Sequence, residues 1–196
     1  MRILFLAAVA PLALTACERA ETPTTIDNSA MTENVTMAPS ETAAGNMAMP
    51  NGSPVAMSGS EFAQQAAMSD MYEIQSSRIA AQKAESRALR DFGQQMVNAH
   101  TATTRDLKGA IASDNISVTL PTALDAAHQG RIDALNAESG AAFDALYKQQ
   151  QRDAHRAALA LHQGYAANGS DAALKSFASA TAPKVQGHLD MLERMN

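Results

Sequence analysis

Glu73, His100, His155 and His188 are the residues of this chain best suited to chemistry. Imidazole nitrogen with carboxylate oxygen suits Zn, Cu, Fe or Ni. The same pair can also share a proton in a buried hydrogen-bond network. Each of the four sits on an apolar stripe at helical spacing. Phe92, Met96, His100, Thr103 and Leu107 recur at steps of three and four, which puts them on one helix face. Asp144, Tyr147, Gln151 and His155 share another face, with His162 two turns further on. Glu73 follows Asp70 in the run Phe62, Ala66, Asp70, Glu73, Ser77, Ala80, and His188 lies in the run Leu174, Phe177, Thr181, Val185, His188, Leu192.

Three chemistries compete for these inward groups. A metal site would use imidazoles and carboxylates from facing helices. It would not be a di-iron ferroxidase, because Glu-x-x-His is absent and the nearest spacing is Asp125-Ala126-Ala127-His128. A structural network would use Glu73 or Asp144 to complete the histidines and fix helix register in an alanine-rich core. A pH sensor is a variant of that network. Acid–base catalysis has the least behind it: G-x-S-x-G and a glycine-rich phosphate cradle are both missing, and Ser139 before Gly140 reads as a helix N-cap. The sequence therefore favours binding or envelope support over turnover. A transition metal held by Glu73, His100, His155 and His188 is the alternative.

The elements that must position these groups are helices. The periodicity predicts a first helix over about Ser60 to Ala84 and a second over Ser86 to Ser113. DNISVTLP (Asp114 to Pro121) reads as a turn whose proline suits the start of a short helix, about Thr122 to Asn136, with Leu124, His128, Ile132 and Leu135 inward. A further helix from Ser139-Gly140 to about Ala167 is stopped by Asn168-Gly169. The last runs from Ser170 to Arg194, with a kink or short break expected at Pro183. Four long helices and one short one make an all-α antiparallel four-helix bundle. At 1.5 Å per residue, Glu73 and His100 differ in depth by roughly 5 Å from the turn near Glu85. His155 and His188 differ by roughly 7 Å from the turn near Gly169. Each hairpin can bring its two groups to one level, and the short helix decides whether the hairpins share it.

The N-terminal segment sets the compartment. Arg2 and the apolar run Ile3 to Leu14 form a signal segment too short to span a bilayer, which needs roughly 20 apolar residues. Leu14-Thr15-Ala16-Cys17 resembles the bacterial lipobox, and that resemblance implies cleavage after residue 16 and acylation of Cys17. Cys17 is the one cysteine, which excludes an intrachain disulfide or a thiolate metal site. Glu18 rather than aspartate follows it, which favours the outer membrane within a periplasmic location. Residues 17–58, rich in Thr, Ser, Asn, Pro and Met, read as a disordered tether, and residues 59–196 as the bundle domain. Met31, Met37, Met47, Met49 and Met57 in the tether are soft ligands of the kind Cu(I) takes. The chain has 15 Lys and Arg against 20 Asp and Glu, and residues 17–58 hold five acids against Arg19. With no basic patch, nucleic acid is not an expected partner. The membrane is, through Cys17, while protein partners are not legible.

Four stretches, SEFAQQAAMSDMYEI, FGQQMVNAH, LNAESGAAFDALY and FASATAPKVQGHL, resemble successive signatures of domain-of-unknown-function family 4142 over roughly Gly59 to Arg194. The resemblance implies a ferritin-like four-helix bundle in the periplasm and no established activity. It also implies an aspartate immediately before the second helix's histidine, where this chain has Ala99.

Overall fold

The computed structural model describes residues 57–195. The signal segment 1–16, Cys17 and nearly all of the tether 17–58 lie outside the described residues. Five helices follow in order: α1 (Gly59–Lys83), α2 (Arg87–Ser113), α3 (Ala126–Ala137), α4 (Gly140–Asn168) and α5 (Ala172–Arg194). Among the described residues there is no strand, and no helix is long and apolar enough to cross a membrane.

Local chemistry sets the helix ends. Ser58 and Glu61 form a capping box at α1: the Ser58 Oγ accepts from the Glu61 amide at 3.3 Å, and Glu61 Oε2 accepts from the Ser58 amide at 2.9 Å. The short helix starts later than expected. Asp125, not Pro121, sets its first turn, because Asp125 Oδ1 accepts from the His128 amide at 2.8 Å. Ser139 does occupy the N-cap of α4 but makes no side-chain cap bond; Gly140 after it stands at φ +58°, the left-handed region that favours glycine. Of the kink or short break expected at Pro183, the break does not occur. α5 runs through it; Pro183, exposed, has no N–H to donate to the Ser179 carbonyl.

The hairpins α1–α2 and α4–α5 pack side by side. Phe62 stacks on Tyr165 at 4.0 Å, Tyr72 Oη donates to Gln150 at 2.7 Å, and Ser77 and Tyr147 share a hydrogen bond of 2.9 Å, so α1 and α4 run antiparallel. Asp114 against Leu174 and His100 against His188 make α2 and α5 antiparallel as well. The connection carrying α3 runs the length of the bundle, delivering the chain from the end of α2 to the start of α4, beside the α1–α2 turn. Lys83 donates to the free carbonyls of Leu135 and Asn136 at the end of α3 (3.1 and 2.6 Å), tying the short helix to α1.

Apolar side chains fill the two ends of the bundle. One cluster contains Phe62, Leu107, Tyr165, Leu174 and Phe177; the other contains Phe92, Met96, Leu135, Phe143, Tyr147 and Leu192. Between them lies a polar layer of Asp70, Glu73, His100, Gln151, His155, Thr181 and His188, every member buried. α1, α2, α4 and α5 all contribute to it. The two hairpins therefore do share a level.

Candidate metal centre

The inward stripes of α2, α4 and α5 each deliver one histidine to this layer. The ring centroids of His100, His155 and His188 lie 5.7, 5.9 and 5.3 Å apart. One ring nitrogen from each lies within 4.8 Å of the other two. His155 Nε2 and His188 Nδ1 are already 3.3 Å apart. Tetrahedral coordination at a metal–nitrogen distance of about 2.0–2.1 Å needs nitrogens roughly 3.4 Å apart. One pair thus stands at ligand separation, and His100, within 4.8 Å of both, must close by about 1.4 Å at most. The donor set fits a borderline transition metal.

Hydrogen bonds fix which nitrogen His100 and His155 present. His100 Nδ1 faces Asp70 Oδ1 at 2.8 Å, while Thr104 Oγ1 donates to Asp70 Oδ2 at 3.0 Å. His100 Nε2 is buried with no protein partner. His155 Nδ1 donates to the Gln151 carbonyl at 2.9 Å, leaving Nε2 directed at His188. A carboxylate or carbonyl behind a ligating imidazole sets its tautomer and raises its basicity. Asp70 and the Gln151 carbonyl stand in that relation to His100 and His155.

Charge in this layer is uneven. Burial, with the His100 charge, lowers His155 to about 4. Burial with the neighbouring histidines lowers His188 to about 3. Both rings are neutral near pH 7, the form that ligates. Burial also opposes a charge on His100, but the Asp70 hydrogen bond with the Glu73 and Asp70 charges outweighs it and raises its pKa. Burial pushes the Asp70 carboxyl up as well. Both Asp70 oxygens accept donors, the pattern of a carboxylate, so His100 is the partner that keeps the proton. Glu73 is raised by burial, and neither of its oxygens has a protein partner.

Glu73 occupies a different place from the three histidines. Its Oε1 lies 3.8 Å from His155 Nδ1, the nitrogen turned away from His188. Asp70, equidistant with His100 from Glu85 along the chain, takes the histidine that counting from the turn could have assigned to it. Asp144 lies at the end of the bundle and not in the polar layer. Its two oxygens accept from the Glu85 and Ser86 amides at 3.0 and 2.8 Å, which holds the α1–α2 turn. Asp125 and His128 cap α3. Ala99 lines a cavity beside His100 and is half-buried.

The family model for the domain of unknown function DUF4142 matches residues 42–195. No curated protein matches the chain. Among solved structures, a DUF305 protein from Streptomyces coelicolor, described as secreted, aligns with a TM-score of 0.55 at 13% identity. The alignment covers 69% of this chain and 90% of that one. At this identity the likeness is one of fold.

Proposed function

Because the chain belongs to the DUF4142 family, whose description names no activity, we propose a function from the site itself: His100, His155 and His188 bind a single transition-metal ion. The observation that carries this reading is the convergence of three buried imidazole nitrogens within 4.8 Å, in a layer that leaves His100 Nε2 and both Glu73 oxygens without partners. A purely structural network would be expected to close its hydrogen bonds, since a half-satisfied buried network costs more than an apolar core. A cation gives His100 Nε2 its missing partner. Asp70 and Glu73 supply negative charge behind the ligands, with Asp70 holding His100 in orientation.

The metal reading is tested with purified mature protein, by measuring metal content and titrating Zn, Cu, Fe and Ni against the melting temperature. A metal that binds only the folded state raises stability as RT ln(1 + [L]/Kd). The expected result is a concentration-dependent rise with at least one of the four, lost in His188→Ala. No copurifying metal and no shift with any of them would sink it. The site works outside the cytoplasm, held to a membrane through Cys17; the lipobox resemblance and the secreted structural neighbour support this placement. Cys17→Ser should leave the protein unacylated and released from the membrane fraction.

A further inference from the structure

A cavity of about 170 Å³ lies among α1, α2, α4 and α5, and its walls include Asp70, His100, His162, Thr181, Lys184 and His188. It borders two of the three histidines just described. We infer that this cavity admits a small anion to an open position on the bound metal. The inference rests on the metal reading above and adds an exogenous ligand to it.

Ligand number is the first argument. Three histidines converge, and no further His, Cys, Asp or Glu among the described residues joins their group within 4.8 Å. Asp70 is engaged by His100 and Thr104, and Glu73 stands at the far nitrogen of His155. Three protein ligands with a free position is the arrangement of metal sites that accept a water or another small ligand.

The walls supply the second argument. His162 is 5% exposed, its Nδ1 has no protein partner, and Phe62 and Phe177 hold the ring edge-on at 5.5 and 5.6 Å. It is a fixed polar group bordering the cavity with hydrogen-bonding capacity unspent. Lys184, exposed at the surface, is the one Lys or Arg in the wall. A metal dication, with Lys184 in the wall, is what would draw an anion in, while the Asp70 carboxylate is held by His100 and Thr104. The size limits the guest. Drug-sized pockets begin at about 300 Å³, and one water takes about 30 Å³ of liquid volume. The chamber, about 170 Å³, has the volume of about five or six waters and so fits only a small anion of a few non-hydrogen atoms.

The experiment loads the mature chain with Cu(II), records its electron paramagnetic resonance and visible spectra, and then titrates sodium azide. The expected result is a saturable azide-to-copper charge-transfer band with a shifted resonance, both absent in His188→Ala. Ala99→Leu, which fills the cavity, and His162→Phe, which keeps the ring and removes its nitrogens, should each raise the half-saturating azide concentration about tenfold, or 1.4 kcal/mol. Copper stoichiometry and the azide-free spectra should stay unchanged in these two variants. Bound copper that ignores azide overturns the inference and leaves the metal reading standing. An azide response equal in wild type and both variants also overturns it. A chain that takes up none of Cu, Co, Zn, Fe and Ni removes both readings.

Discussion

At the scale of the residue, the Asp70–His100 pair carries the most consequence. Both groups are buried, and their 2.8 Å contact leaves His100 Nε2 with nothing to bond. Removing the imidazole strands a buried carboxylate, which costs more than an ordinary lost hydrogen bond. His100→Gln retains an N–H that can reach Asp70, whereas His100→Ala retains none. Gln should therefore be more stable than Ala by about 1 kcal/mol in urea unfolding of the metal-free protein. Both should lose the metal-dependent rise in melting temperature. Equal stability of the two would show that the Asp70 contact contributes little. Asp70→Asn preserves the shape and removes the charge, and metal affinity should fall about 10–100-fold by calorimetry, the usual effect of losing a group behind a ligating histidine.

The helices owe their positions to contacts made across the bundle as much as to their own sequences. α5 has no side-chain cap from its N-cap residue Asp171; Asp114, at the end of α2, instead accepts from the Ala173 and Leu174 amides at 2.8 and 3.0 Å. Asp144 does the equivalent for the α1–α2 turn. Asp114→Ala and Asp144→Ala should each destabilise by about 1 kcal/mol, measured as a shift in urea midpoint without a change in slope. Gly93 marks a close approach of α1 and α2. A Cβ there would stand 2.8 Å from the Ser77 carbonyl oxygen and 3.0 Å from the Ala81 nitrogen, both backbone atoms. Gly93→Ala should destabilise despite alanine's better helix propensity, by about 1–3 kcal/mol, as overpacking does. Helical period made the long helices and their buried stripes legible, because burial of one face is what that period encodes. The caps were not legible, since Asp114 and Asp144 act on amides 58 to 60 residues away. At Pro183 propensity alone argues for a kink or a break; the helix is unbroken there, with Thr181, Ala182, Val185 and His188 buried on its packed face.

At the scale of the whole molecule, three buried neutral histidines make the metal-free fold sensitive to acid. His155, His162 and His188 are held at about 4, 4 and 3, chiefly by burial, against an ordinary 6.5. Between those values the unfolded chain binds protons that the folded chain refuses, so stability rises with pH. The contribution of these three is complete above pH 6.5 and is lost as pH falls toward 4. Glu73, Asp70 and His100, all raised, act in the opposite sense, with Asp70 favouring the fold fully only below its ordinary 3.8. Glu73 favours the fold fully below its ordinary 4.5 and progressively less above it, while His100 does so below 6.5 and loses this as pH rises. Stability of the metal-free protein should therefore peak near pH 6.5. The convergence itself could not be read from the sequence, because the long connection through α3 sets the relative level of the hairpins and its path follows from packing at Tyr72, Ile132 and Leu135. His162 offers the cleanest test, as it lies outside the three converging rings. A fall from 6.5 to about 4 corresponds on the order of 3 kcal/mol when fully realised. His162→Phe, which packs an apolar ring against Phe62 and Phe177, should lose less stability between pH 6.5 and pH 4.5 than wild type, by about 2 kcal/mol in urea unfolding. Equal acid sensitivity in the two proteins would place the charging penalty elsewhere in the polar layer.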